Sequence, residues 1–344
     1  MKVAVIGTTG YGGGELIRIL YNHPIFRIHS IHSTRDEEPI TAEFPHLTGV
    51  FEQTLTKADP EVIAEEADLV FLATPSRVSG KLAEAFYGKD IQVVDLSGDL
   101  RLQKQGEYEQ WYKHEPVNQE VIKEAVYGLS EWNKEQIKNA KLVANPGCYP
   151  TATLLGLAPV AAAGLVEPNG IIIDAKSGVS GAGKSLTKGN AFAEMNDNFR
   201  IYKVNEHQHI PEIQQQLNLW DEAIAPITFN THLIPITRGI MATIYVQLKK
   251  ELATSEVIDL YKEQYHNHPF VRVRNEGQYP SVKEVCGSNY CDIGLNVDQR
   301  TGRLTIVSVI DNLMKGAAGQ AVQNANIMNG LEEKMGLDFV PIYP

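Results

Sequence analysis

The first thirteen residues constrain the fold more than any other stretch of the chain. Residues 2–6 (KVAVI) form a short apolar run that is typical of a buried strand. The run ends in a glycine-rich turn, residues 7–13 (GTTGYGG), and residues 12–21 carry apolar side chains at helical spacing. A strand, a glycine-rich turn and a helix in this order are typical of the first unit of a doubly wound α/β sheet.

The alternation of strand and helix patterns continues to about residue 145. Further apolar runs predict strands at residues 25–32, 69–73, 91–95 and 141–144. Strands that alternate with helices predict a parallel sheet with helices on both faces. We therefore expect an N-terminal doubly wound, Rossmann-type domain over residues 1–147.

The pattern changes after Cys148, where a helical stretch is followed by strand segments with fewer helices between them. Those segments alternate or are rich in β-branched residues, and they lie at residues 171–175, 225–233, 241–248, 270–273 and 304–310. This pattern predicts a mixed or antiparallel sheet in a second, α+β domain over residues 148–314. An Ala-rich helix follows, and we expect residues 315–344 to complete the first domain.

Charge and cysteine content exclude some classes of partner. Lysine and arginine number 31 against 42 aspartates and glutamates, which gives a net charge of −11. Such a chain has no general attraction for nucleic acid or an anionic membrane. No run is apolar enough to cross a bilayer or act as a signal peptide. The three cysteines are too few for a disulfide framework, so we expect a reducing, cytoplasmic setting.

The glycine-rich turn is a candidate dinucleotide site. Glycines let the chain turn tightly and let the backbone approach a pyrophosphate, and the helix start offers free N–H groups to the anion. The spacing is GxxGxxG, not the commoner GxGxxG, and the alternative is a turn that serves packing alone. The candidate contacts are Gly7, Thr9, Gly10, Tyr11 and Gly12.

The end of the second predicted strand bears on the choice of dinucleotide. An NAD site usually has an acidic residue there, whereas this chain has Ser33, Thr34 and Arg35. Hydroxyl groups and a guanidinium suit a 2′-phosphate, so the sequence favours NADP over NAD. Three acidic residues follow at once, and the alternative is that Arg35 is a solvated loop charge.

The turn at residues 143–152 (VANPGCYPTA) is the strongest chemical signal in the chain. A predicted strand ends in a Pro-Gly turn, and Pro150 suits the first turn of the next helix. Cys148 therefore lies near a helix N-terminus, a position that stabilises a thiolate. A thiolate attacks acyl carbons well, so Cys148 is a candidate nucleophile, although small buried cysteines are also common. Cys286 and Cys291 lack such a setting and are interpreted as structural.

Two histidines stand two residues apart in residues 206–213 (EHQHIPEI). Histidine titrates in the range that a proton donor and a base for acyl chemistry require. His209 is preferred over His207, with Glu212 available to orient the ring. A metal site is a weaker alternative, because no third ligand lies at a diagnostic spacing.

Candidate anion-binding groups are scattered along the chain. Arg101, Lys184 and Arg238 supply charge, and Asn145 and Ser177 supply neutral hydrogen-bonding groups. The alternative for each basic residue is an ordinary solvated charge.

Several separate motifs together resemble N-acetyl-gamma-glutamyl-phosphate reductases. They are residues 143–159 with NPGCY and GLAP, 7–13, 95–101 (DLSGDLR, where the family reads DLSADFR), 127–129 (YGL, followed by Ser130 where Pro is usual), 177–184 (SGVSGAGK) and 311–321 (DNLMKGAAGQA). One departure lies in residues 73–79 (ATPSRVS), where the family often reads ATPHG. Ser76 and Arg77 replace His and Gly there, which leaves the cofactor contacts of this loop open.

The resemblance implies a reaction and further site residues. The family reduces N-acetyl-gamma-glutamyl phosphate with NADPH through a cysteine thioester, releasing phosphate and N-acetylglutamate 5-semialdehyde in arginine biosynthesis. It also implies that residues 206–213 hold the catalytic histidine, that the second domain dimerises, and that the protein is a homodimer or homotetramer. The implied cofactor contacts are Thr74, Pro75, Ser76, Gly181 and Asn312, the last of these to the nicotinamide amide.

Two alternative functions stay open at this point. A sister acyl-phosphate reductase, acting on aspartyl phosphate or a carrier-bound aminoadipyl phosphate, shares the chemistry and differs in substrate. A regulator that senses NADP without catalysis is the alternative of another class.

Overall fold

The chain folds as two units whose sheets differ in strand direction. A computed structural model describes residues 1–343. The first unit consists of residues 1–147 and 317–338, and the second consists of residues 148–316 and 339–343.

The first unit is built on a six-stranded, all-parallel sheet in the order β2-β1-β3-β4-β6-β5. Its strands are β1 (Lys2–Ile6), β2 (Arg27–His32), β3 (Leu69–Leu72), β4 (Gln92–Asp95), β5 (Val126–Tyr127) and β6 (Leu142–Ala144). Its first seven helices are α1 (Tyr11–Tyr21), α2 (Ile40–Glu43), α3 (Pro60–Glu66), α4 (Val78–Phe86), α5 (Glu107–Tyr112), α6 (Gln119–Glu124) and α7 (Ser130–Lys138). The predicted doubly wound, Rossmann-type domain is confirmed.

The second unit is built on a seven-stranded mixed sheet in the order β11-β12-β13-β10-β7-β9-β8. Its strands are β7 (Val166–Gly178), β8 (Arg200–Tyr202), β9 (Thr228–Ile234), β10 (Ile240–Leu248), β11 (Val271–Val273), β12 (Cys291–Asp298) and β13 (Arg303–Ile310). Its helices are α8 (Cys148–Ala162), α9 (Phe192–Met195), α10 (His209–Trp220) and α11 (Thr254–Tyr265). Only the pairs β7–β9 and β11–β12 are parallel, and the predicted α+β domain is confirmed.

The two faces of the second sheet differ in burial. Alternate residues of β10, from Ile240 to Val246, are fully buried, and α8 packs on β10 and β13. The opposite face, which carries Met241, Thr243 and Tyr245, remains partly exposed. The alternation of buried and partly exposed residues along β10 therefore indicates a sheet with one covered face.

The C-terminal helix returns to the first unit. A π-helix, Met314–Ala318, leads into α12 (Gly319–Met328), which is buried along its length. Asn324 and Gln320 of this helix donate to the carbonyl oxygen of Gly128 at 2.8 and 2.9 Å. The sequence predicted one continuous helix here, without the π-turn.

The C-terminal segment that groups with the first unit covers residues 317–338, a shorter range than the predicted 315–344. Residues 315–316 and 339–343 group with the second unit, not with the first. The backbone N–H of Ile342 donates to the carbonyl oxygen of Cys286 at 2.8 Å, and this bond joins the tail to the second unit. Within residues 1–343, no helix is both long and apolar enough to span a membrane.

Candidate active site

Cys148 is the first residue of α8 and is partly exposed. The strand β6 ends at Ala144, and the turn Asn145-Pro146-Gly147 leads directly to the cysteine. The first N–H groups of a helix have no partner within the helix, so the thiol lies where backbone dipoles favour negative charge. The helix begins at the cysteine itself.

The turn before Cys148 is held from several sides within the first unit. The Asn145 backbone N–H donates to the Asp95 carbonyl at 2.8 Å, and its side-chain oxygen accepts from Asn324 Nδ2 at 3.0 Å. Arg101 donates through Nε to the carbonyl of Asn145 and through Nη2 to that of Leu96, both at 2.8 Å. Asn145 and Arg101 are buried, so these contacts differ from the substrate contacts that the sequence predicted for them.

The two histidines have different environments in the second unit. The backbone N–H of His209 donates to Nδ1 of His207 at 3.1 Å, and His209 is the first residue of α10. Burial lowers the pKa of His207 to about 3, and the charge of Lys203 adds to that shift. His207 is therefore a neutral acceptor that fixes the start of α10. Glu212 is fully buried in the first turn of the same helix.

Two tyrosines that the sequence analysis did not select lie among these groups. The hydroxyl oxygens of Tyr149 and Tyr202 are 3.0 Å apart, and Tyr149 also donates to the His232 carbonyl at 3.3 Å. The ring of Tyr149 contacts His207 and His209, with centroids 5.4 and 6.0 Å apart. Burial raises the pKa of Tyr202 to about 12, so its hydroxyl stays neutral. The two tyrosine hydroxyls come together because β8, which carries Tyr202, pairs with β9. No local sequence pattern predicts that pairing.

The loop after β7 is joined to the turn before β10 and to Asn312. Asn312 Oδ1 accepts from the Gly239 N–H at 2.7 Å, and its Nδ2 donates to Ser180 Oγ at 3.0 Å. The Ser177 hydroxyl is buried and donates to the Gly178 carbonyl at 3.0 Å. An added Cβ at Gly181 would lie 2.7 Å from that hydroxyl oxygen. Both polar atoms of Asn312 thus have structural partners within this unit.

The two basic residues predicted as anion holders in the second unit differ in their surroundings. Arg238 Nη1 lies 3.6 Å from a carboxylate oxygen of the buried Asp311, so its charge is compensated. Lys184 is exposed.

The glycine-rich turn of the first unit fits a dinucleotide. Gly7 has a φ of +89°, and an added Cβ there would lie 2.5 Å from the Ala73 carbonyl oxygen. An added Cβ at Gly13 would overlap the Gly7 carbonyl, whereas one at Gly12 would meet nothing. Gly10 caps α1 without a side chain, and the first turn of the helix carries no acidic residue. The open N-terminus of α1 therefore suits a pyrophosphate.

The end of β2 carries hydroxyl groups and no carboxylate. Thr9 Oγ1 and Ser33 Oγ lie 3.5 Å apart, beside the glycine-rich turn. Arg35 Nη1 lies 2.6 Å from a carboxylate oxygen of Glu43, so its charge is already paired. The hydroxyl groups fit a 2′-phosphate better than the guanidinium does in this arrangement.

The loop after β3 is fixed by one buried carboxylate. Asp99 Oδ2 accepts the backbone N–H groups of Arg77 and Gly80 at 2.6 and 2.7 Å. Arg77 has a φ of +77°, a conformation that glycine adopts readily and side chains disfavour. Thr74 and Ser79 are joined through their hydroxyl groups at 2.9 Å. Pro75 is exposed and Ser76 is half-buried.

Fold and site together define the class of semialdehyde dehydrogenase-like oxidoreductases. A protein-family model described as "Semialdehyde dehydrogenase, NAD binding domain" matches residues 2–140, and another described as "Semialdehyde dehydrogenase, dimerisation domain" matches residues 148–312. The chain belongs to the N-acetyl-gamma-glutamyl-phosphate reductase family, because relatives of that name are 55–57% identical to it over its full length. Among residues 1–343, no three His, Cys, Asp or Glu side chains are grouped so as to hold a metal ion.

The relatives that carry this family name match the whole chain. The N-acetyl-gamma-glutamyl-phosphate reductase of Bacillus cytotoxicus (strain DSM 22905 / CIP 110041 / 391-98 / NVH 391-98) is 57% identical, and that of Geobacillus sp. (strain WCH70) is 55% identical. In both cases the alignment covers 100% of this chain and 100% of the relative.

Solved structures share the fold at low sequence identity. Aspartate semialdehyde dehydrogenase II of Vibrio cholerae has a TM-score of 0.71 at 17% identity, covering 96% of this chain and 98% of that one. Aspartate semialdehyde dehydrogenase with NADP from Candida albicans has a TM-score of 0.70 at 16% identity, covering 95% and 98%.

Proposed function

We propose that this chain reduces N-acetyl-gamma-glutamyl phosphate with NADPH, releasing phosphate and N-acetylglutamate 5-semialdehyde, as a step of arginine biosynthesis. The observation that carries this function is Cys148 at the first position of α8, in a chain 55–57% identical over its full length to reductases of that name. A thiolate at a helix N-terminus is suited to attack an activated acyl group.

The reaction begins with a covalent step on Cys148. The sulfur attacks the gamma-acyl carbon, a carbon–sulfur bond forms, and the carbon–oxygen bond to phosphate breaks. The product is a thioester on Cys148 and free phosphate. Splitting the reduction in this way avoids the direct displacement of phosphate by hydride.

The second step reduces the thioester. Bound NADPH supplies hydride to the thioester carbonyl carbon. His209 donates a proton to the developing oxyanion, which gives a thiohemiacetal on Cys148. Removal of the hydroxyl proton and expulsion of the thiolate then release the aldehyde.

His209 is the proposed acid and base because His207 is committed elsewhere. Nδ1 of His207 accepts the His209 N–H, and the lowered pKa of His207 keeps that ring neutral. Glu212, buried in the first turn of α10, is the proposed group that orients the His209 ring. Residues that hold a reacting group in place contribute to rate without touching the substrate.

The remaining predicted site residues take supporting roles. We assign Arg101 and Asn145 to positioning the turn before Cys148, because their polar atoms bond the backbone and Asn324. Ser177, Lys184 and Arg238 remain proposed contacts to the substrate, and Gly181 and Asn312 remain proposed contacts to the cofactor.

NADP is preferred over NAD because the end of β2 offers hydroxyl groups and no carboxylate to the ribose. Ser33 and Thr9 would hold the 2′-phosphate, with the N-terminus of α1 on the pyrophosphate. Comparison of the KM for NADPH with that for NADH tests this preference. A lower KM for NADH would contradict it.

A homodimer or homotetramer in the cytoplasm is the proposed state of the protein. The partly exposed face of β7, β9 and β10 is a surface on which a second copy of the chain can pack. This face belongs to the second unit, whose residues 148–312 match a dimerisation-domain model. None of the three cysteines forms a disulfide, which fits a reducing compartment.

The reaction can be run backwards to test the function. N-acetylglutamate semialdehyde, phosphate and NADP should yield NADPH, followed by its absorbance, only when all three are present. Cys148→Ser should lose nearly all turnover while still binding NADPH. Activity on aspartate semialdehyde instead would assign the chain to a sister reductase. Binding of NADP without turnover on any aldehyde would favour a sensor.

A further inference from the structure

Arg200 is a half-buried guanidinium without a carboxylate partner in the part of the chain that the structure describes. Its Nε atom is buried and has no hydrogen-bond partner there, and Nη2 donates to the Gly189 carbonyl oxygen at 2.7 Å. Other half-buried arginines are paired: Arg272 and Arg274 both contact Asp292. A half-buried guanidinium with no carboxylate partner and an unpartnered Nε has hydrogen-bonding capacity that an added anion can use.

Strand pairing shows which face of the sheet Arg200 occupies. The edge strand β8 pairs antiparallel with β9, so that Arg200 lies opposite Leu233 and Tyr202 lies opposite Thr231. Directly opposed residues share a face, and both partners on β9 are buried. Ile201 lies between them on the other face and is 48% exposed. Arg200 and Tyr202 therefore point to the covered face of the sheet.

Tyr202 connects this face to Cys148. Its hydroxyl lies 3.0 Å from that of Tyr149, the residue that follows the cysteine on α8. Burial is the main cause of the raised pKa of Tyr202. Cys148 would add to this shift when ionised, and the positive charge of Arg200 opposes the shift, so both groups lie within electrostatic reach of the same hydroxyl.

The backbone at Gly189 is shaped to admit the guanidinium. Gly189 belongs to the short turn Lys188–Asn190, and an added Cβ there would overlap the Arg200 side chain. Because one carbonyl holds Nη2, the guanidinium is fixed in orientation while Nε still lacks an acceptor. A planar guanidinium held in this way is suited to bind a carboxylate or a phosphate.

We propose that Arg200 binds an anionic group of the acyl-phosphate substrate, its carboxylate or its phosphate, in the second unit. This inference rests on the proposed function. Arg238 is a weaker candidate because Asp311 already compensates its charge at 3.6 Å. Lys184 is exposed, and an exposed ammonium gains less from an added anion than a half-buried guanidinium does.

The reverse reaction separates the two anions, because semialdehyde and phosphate are then independent reactants. Arg200→Gln should raise the KM for one of them by about 10- to 100-fold and leave the KM for NADP unchanged. Arg200→Lys should fall between this variant and the wild type. A raised KM for the semialdehyde identifies the carboxylate, and a raised KM for phosphate identifies the phosphate.

A substrate without the carboxylate provides an independent check. If Arg200 holds the carboxylate, the wild type and Arg200→Gln should use 4-acetamidobutanal with equal kcat/KM. If it holds phosphate, Arg200→Gln should keep its defect on this aldehyde. Arg303→Gln, at an exposed position on β13, is the matched control and should behave as the wild type.

Two outcomes would overturn the assignment of Arg200. One is an unchanged KM for both reactants in Arg200→Gln. The other is a uniform rise in all three KM values together with a lowered Tm, which would show that Arg200 only supports the loop at Gly189. A wild-type enzyme without turnover on the semialdehyde would instead contradict the proposed function.

Discussion

Gly316 and Cys148 are in direct contact within the second unit: a Cβ added at Gly316 would lie 2.9 Å from the Cβ of Cys148. Gly316 belongs to the π-helix Met314–Ala318, and its backbone N–H donates to the Asp311 carbonyl at 2.9 Å. A π-turn at a functional site is a recurring feature of enzymes. Because Gly316 has no side chain, the π-turn can pack directly against Cys148.

Gly316→Ala should therefore disturb Cys148. The added methyl group must displace either the turn or the cysteine, and a displacement of about 1 Å at a reacting group lowers kcat on the order of 100-fold. The rate of Cys148 alkylation by iodoacetamide and kcat should fall together. Ala317→Ser adds one atom at the next position and should retain activity, whereas a fully active Gly316→Ala would refute the steric role.

Gly98 and Tyr112 should be coupled in stability. An added Cβ at Gly98 would overlap the hydroxyl and the ring carbons Cζ and Cε1 of Tyr112. Gly98→Ala should lower the free energy of unfolding by about 1 to 3 kcal/mol through overpacking. In the background of Tyr112→Ala, which removes the whole ring that the added Cβ would overlap, the same change should cost clearly less. Urea denaturation of the four proteins of this cycle measures the coupling, and strict additivity would count against the clash.

Arg77→Gly should stabilise the first unit. Arg77 has a φ of +77°, where a side chain is strained and glycine is not. The gain is expected to be about 1 kcal/mol and to appear as a raised Tm. Arg77→Ala retains a Cβ and should give no such gain. Equal effects of the two substitutions would show that the side chain, not the backbone, sets the stability at this position.

His207 should make the stability of the protein depend on pH. Its pKa is lowered by burial from 6.5 to about 3, so the folded state favours the neutral ring. The contribution of His207 to the free energy of unfolding is therefore fully present above pH 6.5. It is lost as the pH falls from 6.5 toward 3, at about 1.4 kcal/mol per pH unit, because the unfolded state takes up a proton that the folded state does not.

Asparagine at position 207 can accept the His209 N–H but does not titrate. Between about pH 7.5 and 5, the free energy of unfolding of His207→Asn should fall less than that of the wild type, by about 1 to 2 kcal/mol. His114→Asn, at an exposed position, should follow the wild-type slope. Parallel slopes for His207→Asn and the wild type would mean that the buried ring does not control this dependence.

The elements that the sequence predicted correctly are those whose conformation is determined by neighbouring residues. The run at β1 and the Pro-Gly turn before Cys148 were recognisable because strand, turn and helix preferences agree there. The strand β12 was missed because Asp292 and Asn296 interrupt its apolar pattern. Asp292 is buried in β12 because Arg272 and Arg274 neutralise it, and these partners are brought in by the neighbouring strand.

Side-chain partnerships in the candidate site were harder to predict than its nucleophile. The sequence singled out Cys148 and the two histidines by local setting and resemblance. It could not show that Asn145 bonds Asn324 across 179 positions, or that Arg35 pairs with Glu43. Tyr202 and Arg200 carry no local signal either, because their environment is created by the pairing of β8 with β9.

The return of α12 to the first unit sets an order of events during protein synthesis. The ribosome makes residues 1–147 first, yet the helix that packs on α7 and β4 appears only after residues 148–316 have been made. Until then, the nascent first unit exposes the groups that α12 later covers, including the Gly128 carbonyl that Asn324 and Gln320 bond. The domain that is translated first is therefore completed last, and the surface that α12 covers stays open while residues 148–316 are being translated.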